Sequence, residues 1–245
     1  MQNFASVNDI KDLNYLIKKA QNFKVNQLNN NDLGKDKTLG LLFFNPSLRT
    51  RLSTEKAAKN LGMNVITLNA SDGWKLEFED GAIMNLDKAE HVKEAAAVLS
   101  QYCDILGIRS FPTLTDKAKD YADFILNKFI EYASVPIVSL ESAIRHPLQS
   151  LADLVTIKEH QKTEKPKIVL TWAPHPKALP QAVANSFSEW VLAADYDLTI
   201  TCPEGFELNS KFTEGSTISN NQKEAFEGAD FIYAKNWSSW KDYGK

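Results

Sequence analysis

Short apolar runs of strand length alternate along this chain with stretches whose apolar residues return every three or four positions. KTLGLLFF (37–44) reads as a strand, and RLSTEKAAKNLG after it reads as a helix stopped at Gly62. NVITLNA (64–70) is rich in β-formers, and the polar loop SDGWKLEFEDG follows it. AEHVKEAAAVLSQY (89–102) carries alanine, valine and leucine at helical spacing. CDILGIRS (103–110) and VPIVSLE (135–141) read as strands on either side of a helix in YADFILNKFIEYA.

A second series begins after a long helical stretch, LQSLADLVTIKEHQKT, and the polar TEKPK (163–167). KIVLTWA (167–173), YDLTITCP (196–203) and DFIYAKN (230–236) read as strands. LPQAVANSFSEWVLAAD (179–195) and KEAFEGA read as the helices between them. Strands apolar on both faces and separated by helices predict parallel sheets with crossover connections. The fold class is therefore α/β, with two doubly wound domains, 1–141 and 142–245, joined by a helix at about 147–161. Ligands of such sheets bind beyond the carboxyl ends of the strands, in the cleft expected between the domains.

Composition narrows the function. Hydrophobic residues make up 43% of 245 positions, enough for two modest cores. The net charge of −3 weighs against nucleic-acid and anionic-membrane partners. Cys103 and Cys202 lie in apolar runs and read as buried free thiols of a reducing compartment. Neither belongs to a CxxC or Cys/His cluster, so no metal site is expected. The amino-terminal stretch is too polar for a secretory leader, and no apolar run reaches the roughly 20 residues that span a bilayer. These exclusions predict a soluble, cytoplasmic protein.

The run NPSLRTR (45–51) raises a conflict of charge. It follows a strand and opens a helix, where unpaired N–H groups and the helix dipole already present positive charge. Arg49 and Arg51 have the wrong sign for that place unless an anion occupies it. Ser47 and Thr50 would add hydroxyl donors, and arginine suits a phosphate because its fork makes two parallel bonds. The missing glycines and lysine rule out a Walker loop. Arg109, His146 with Gln149 in HPLQS, His175 in WAPHPK, and Lys235 each follow an apolar strand, on one expected sheet edge. Periodicity alone names no reaction for them. Trp74, in the polar loop, reads equally as a loop anchor. His91 and His160 fall in predicted helices and read as surface residues, and Trp237 and Trp240 as packing residues.

Taken together, SLRTR, IRSF, HPLQSLAD, TWAPHPKALPQAVANS and FEGADFIYAKNW resemble the transcarbamylases of the aspartate/ornithine superfamily. W-x-x-H-P, A-V-x-N-S and the loop tryptophan resemble its N-acylornithine branch. The resemblance implies a carbamoyl-phosphate domain and an acylornithine domain, and a homotrimer with shared active sites. It implies that Ser47, Leu48, Arg49 and Thr50 hold the phosphate of carbamoyl phosphate. Arg109 and His146 would polarise the carbamoyl carbonyl with Thr50, and Gln149 would orient the amide. Trp74 would reach a neighbouring subunit's site, while Glu141, His175 and Lys235 would contact the N-acylornithine. No metal or other cofactor is implied.

The family continues past SSWKDYGK with a His-Cys-Leu-Pro motif and a returning helix, so the second domain here is expected to lack its usual carboxyl-terminal end. That reads as an incomplete record or a truncated product, with weak activity if the chain ends there. Ala89 stands where the acetyl branch resembles this sequence with glutamate and the succinyl branch has proline. A glutamate would repel the second carboxylate of a succinyl group, and alanine does not, so N-succinylornithine is expected over N-acetylornithine. A non-catalytic anion-binding oligomer of the same fold, or a plain ornithine carbamoyltransferase, are the alternatives.

Overall fold

The computed structural model describes residues 2–70, 74–85 and 87–245. A 3-10 turn, Val7–Asp9, is closed by reciprocal bonds between Ser6 and Asp9 and precedes α1 (Leu13–Val25). The first alternating series is β1 (Thr38–Phe43), α2 (Arg49–Asn60), β2 (Asn64–Asn69), β3 (Leu76–Glu77), β4 (Glu90–His91), α3 (Val92–Tyr102) and β5 (Ile105–Arg109). It continues through α4 (Lys117–Tyr121), α5 (Phe124–Tyr132) and β6 (Ile137–Glu141). After α6 (Pro147–His160) come β7 (Lys167–Trp172), α7 (Ala182–Ala193), β8 (Asp197–Thr201), α8 (Ser210–Thr213), β9 (Thr217–Ser219), α9 (Gln222–Phe226) and β10 (Phe231–Lys235).

The chain divides into two compact units, neither of them continuous in sequence. The first comprises Met1–Ala5, Asn22–Phe111 and Ala122–Ser142; the second comprises Ser6–Gln21, Pro112–Tyr121 and Ala143–Lys245. In the first unit a parallel sheet has the order β2-β1-β5-β6. Its core joins Leu42, Leu106, Ile108 and Ile137 of the strands to Val92, Ala96, Leu126 and Phe129 of α3 and α5. Gly40 is needed inside β1, because a Cβ there would come 2.6 Å from the Cys103 sulfur. In the second unit a parallel sheet has the order β10-β7-β8-β9. Its core contains Ile168, Val169, Leu170, Phe187, Trp190, Leu198, Ile200 and Trp237.

Several elements depart from the sequence pattern. α1 buries only Ile17, too few apolar positions for a periodic signal. The 89–102 helix begins at Val92 instead, because Glu90 and His91 pair in parallel with Leu76 and Glu77. His91 is therefore not a helical surface residue: it is half-buried, and its Nδ1 caps α3 by accepting the Lys93 N–H at 3.2 Å. The 121–133 stretch breaks at Asp123, whose φ of 50° no helix tolerates. Asp123 holds that shape while its carboxylate accepts the Ser142 hydroxyl at 2.7 Å. α8 and β9 are too short, at four and three residues, to read from periodicity.

Gly62 ends α2 in the left-handed region, φ 81°, and a side chain there would run into the Asn31 carbonyl. Gly62→Ala is expected to destabilise the chain by at least ~1–2 kcal/mol in urea unfolding. Cys103 and Cys202 are buried free thiols, and burial pushes the Cys202 thiol up to about 12, which makes it inert. Among the described residues no helix is long and apolar enough to cross a membrane.

Candidate active site

In the first sheet, β2 and β5 flank β1, so the chain leaves β1 to one side and later returns to the other. In open parallel sheets, ligands bind at such a reversal, beyond the carboxyl ends of the strands, here β1 and β5. Two groups of candidate residues sit at those ends. Phe43 and Arg109 are register partners, and the Asn45–Thr50 corner follows directly from β1.

α2 begins at Arg49, two residues earlier than its apolar pattern suggested. Leu48 is its N-cap, no side chain caps its end, and its first turn contains no acid. The first N–H groups of the helix are thus left for a ligand or water. Arg49 is exposed and forms no ion pair among the described residues. Arg51 behaves differently: its Nε donates to Glu55 Oε1 at 3.2 Å, one turn along the helix. Bonds from Thr67 and then Arg51 hold the Glu55 carboxyl below its ordinary range. Of the two arginines that opened the question, only Arg49 remains available at the corner.

Arg109 staples this corner to the sheet. Its guanidinium donates to the carbonyls of Asn45 at 3.2 Å and Pro46 at 2.7 Å, and lies 4.1 Å from the Phe111 ring centre. Its second terminal nitrogen meets Glu141 Oε2 at 3.1 Å, both side chains being about 90% buried. The pairing depends on a register shift. Ile108 opposes Ser139, yet Arg109 opposes Glu141, so Leu140 is skipped. Without that irregularity Glu141 would point to the opposite face. Asn45, not singled out from sequence, completes the staple: its side-chain oxygen accepts the Phe111 N–H at 2.7 Å. The only prior signal was its place in an Asn-Pro turn.

In the second unit, His146 is the N-cap of α6 and Pro147 fills the first helical position, where a missing N–H costs nothing. Gln149 stands one turn before Asp153 and donates from Nε2 to Asp153 Oδ1 at 2.9 Å. Burial pushes the Asp153 carboxyl up to about 6, against the opposing pull of Gln149 and the Tyr233 hydroxyl. The second sheet has its own reversal between β7 and β10. Lys235 is the register partner of Trp172, and the Asn236 amide donates to the Ala173 carbonyl at 2.7 Å. Lys235 is half-buried and forms no ion pair among the described residues. His175 is exposed, its Nδ1 within 3.1 Å of both the Lys177 nitrogen and carbonyl oxygen.

The structure thus gathers Ser47–Thr50, Arg109 and Glu141 on the first sheet's carboxyl edge. It places His175 and Lys235 on the corresponding edge of the second, with His146 and Gln149 at the start of α6. Trp74 packs on its own unit: it lies against the first core, and its Nε1 donates to Glu90 at 3.0 Å.

Residues 2–159 match the family "aspartate/ornithine carbamoyltransferase, carbamoyl-P binding domain", a span that contains the corner, the Arg109 staple and nearly all of α6. The chain belongs to the aspartate/ornithine carbamoyltransferase family. It is 53% identical to the N-succinylornithine carbamoyltransferase of Bacteroides thetaiotaomicron, across 100% of this chain and 78% of that relative. It is 39% identical to the N-acetylornithine carbamoyltransferase of Xylella fastidiosa, across 95% of this chain and 73% of that one. A crystal structure of acetylornithine transcarbamylase with acetylcitrulline superposes with a TM-score of 0.92 at 36% identity, covering 100% of this chain and 78% of its own. The carbamoyltransferase architecture is accordingly that of two parallel-sheet α/β units.

Proposed function

We propose that this carbamoyltransferase moves the carbamoyl group of carbamoyl phosphate to the δ-amine of an N-acylornithine, giving N-acylcitrulline and phosphate for arginine synthesis. The observation that carries the reading is the acid-free start of α2, with Arg49 unpaired among the described residues and the corner fixed by Arg109. Ser47, Arg49, Thr50 and the main chain at Leu48 hold the phosphate; the Leu48 side chain can offer it nothing. Arg109, His146 and Thr50 polarise the carbamoyl carbonyl, and Gln149 receives its amide. The amine's lone pair bonds to the carbamoyl carbon, the bond to phosphate oxygen breaks, and phosphate takes the amine's proton. Donors fixed in advance stabilise negative charge on the carbonyl oxygen and the leaving group. Holding both substrates in line supplies much of the remaining acceleration.

His175 and Lys235 are assigned to the acylornithine, with Glu141 shared between that substrate and Arg109. The first unit is assigned to the phosphate of carbamoyl phosphate, and the second, apart from His146 and Gln149, to the acylornithine. We place the protein in the cytoplasm as a homotrimer in which Trp74 serves a neighbour's site, a role that requires it to release Glu90. Exposed Leu48 and Leu52, one turn apart on α2, and Ile66 on the edge strand β2 offer apolar surface for such a contact.

N-Succinylornithine is the preferred acceptor. Ala89 is exposed and borders an open groove that Lys93 lines together with Asp80, Glu90 and Glu94, and position 89 itself adds no further carboxylate against a succinyl group. A colorimetric ureido-product assay with each acceptor tests both parts of the reading. kcat/KM is expected to favour N-succinylornithine, and Ala89→Glu is expected to shift the preference toward N-acetylornithine by at least ~tenfold. A higher kcat/KM with N-acetylornithine overturns the acyl assignment. Carbamoyl phosphate binding without product from either acceptor or from ornithine would mark a non-catalytic anion binder.

A further inference from the structure

We propose that Asp153 is a positioning residue that fixes which end of the Gln149 side chain meets the carbamoyl group. The inference rests on the reading above, in which Gln149 receives the carbamoyl amide. A glutamine amide has a donor end and an acceptor end, and a flip exchanges them. An ionised carboxylate only accepts, so Asp153 can bind Gln149 solely through Nε2. The 2.9 Å bond between Nε2 and Asp153 Oδ1 therefore leaves Gln149 Oε1 to accept an N–H from the carbamoyl group.

The arrangement is built rather than incidental. Gln149 and Asp153 lie four apart on α6, on the same helical face. Pro147 and Ser150 are buried beside them and anchor that turn. The Tyr233 hydroxyl lies against the same carboxylate, and the Tyr233 ring is stacked on Phe187 with centres 4.4 Å apart. Packing thus holds the carboxylate's surroundings, while burial makes its charge costly enough to need partners. A helix designed only for stability would gain from an apolar group at that position.

Asp153→Asn keeps the shape and removes the acceptor-only character. Asparagine can face Gln149 with its own amide nitrogen, letting the glutamine turn and present N–H to N–H. Carbamoyl phosphate has an amino group where acetyl phosphate has a methyl, so the two ligands separate positioning from structure. By calorimetric titration, Asp153→Asn is expected to weaken carbamoyl phosphate about tenfold and leave acetyl phosphate within about twofold of the parent. In a Gln149→Ala background the same substitution should change carbamoyl phosphate affinity less than about twofold. Equal weakening of both ligands, no weakening of either, or a full effect without Gln149 would each overturn the proposal. Failure of the parent chain to bind either acyl phosphate would instead take down the carbamoyl-phosphate reading, and this proposal with it.

Discussion

Arg109→Ala is expected to lower turnover by at least ~10²–10³-fold and destabilise the fold by about 3–5 kcal/mol. Under the proposed function, the activity loss follows from removing a donor fixed against the carbonyls of Asn45 and Pro46, which also holds the Asn45–Thr50 corner in place. The stability loss follows from leaving Glu141 charged and about 90% buried without its partner. Arg109→Lys keeps a positive charge but cannot reach Asn45, Pro46 and Glu141 together, so activity should stay low. Arg109→Met with Glu141→Leu removes both charges and should restore most of the stability without restoring turnover. Urea unfolding and the ureido assay on the same samples separate the two effects. An alanine variant with the parent's turnover would exclude Arg109 from the reaction.

The second large effect is expected at Arg49. Arg49→Ala should reduce kcat/KM for carbamoyl phosphate by ~10²–10³-fold with little change in stability, because the side chain is exposed and unpaired among the described residues. Arg51→Ala is the control. Its guanidinium is committed to Glu55 on the same helix, a half-buried i,i+4 pair that contributes little to stability. Steady-state kinetics with both variants, at two ionic strengths, distinguishes them. Equal losses would mean that Arg51 leaves Glu55 to join the anion, and no loss at Arg49 would empty the corner of its proposed role.

The corner was legible because its signal is local. A strand, a turn residue, hydroxyls and misplaced arginines stand within fifteen residues, and their order dictates a helix end rich in donors. Gly62 as a helix stop was equally local, and its φ of 81° agrees. The distinction between Arg49 and Arg51 was not legible. It depends on Glu55, which lies one turn away, and on Thr67, which arrives from the neighbouring strand. The short parallel pair of Leu76–Glu77 with Glu90–His91 escaped for the same reason: each half is two residues long, and only the other half makes it a strand. Asp153 was concealed in plain view. Its spacing from Gln149 is helical, but helical spacing serves many surface pairs, and only its partial burial marks it.

By itself, the order of apolar and polar residues determined two series of strands and helices and put the candidate polar groups at strand ends. It could do so because strand and helix periods are written within a few residues, and a parallel sheet sends every such group to one edge. What the tertiary structure alone decided was which groups meet. Arg109 finds Glu141 through a one-residue shift between β5 and β6, and segments 6–21 and 112–121 join the second unit across long stretches of sequence. Register and packing between distant residues are settled by the whole set of buried contacts, and no local period encodes that sum.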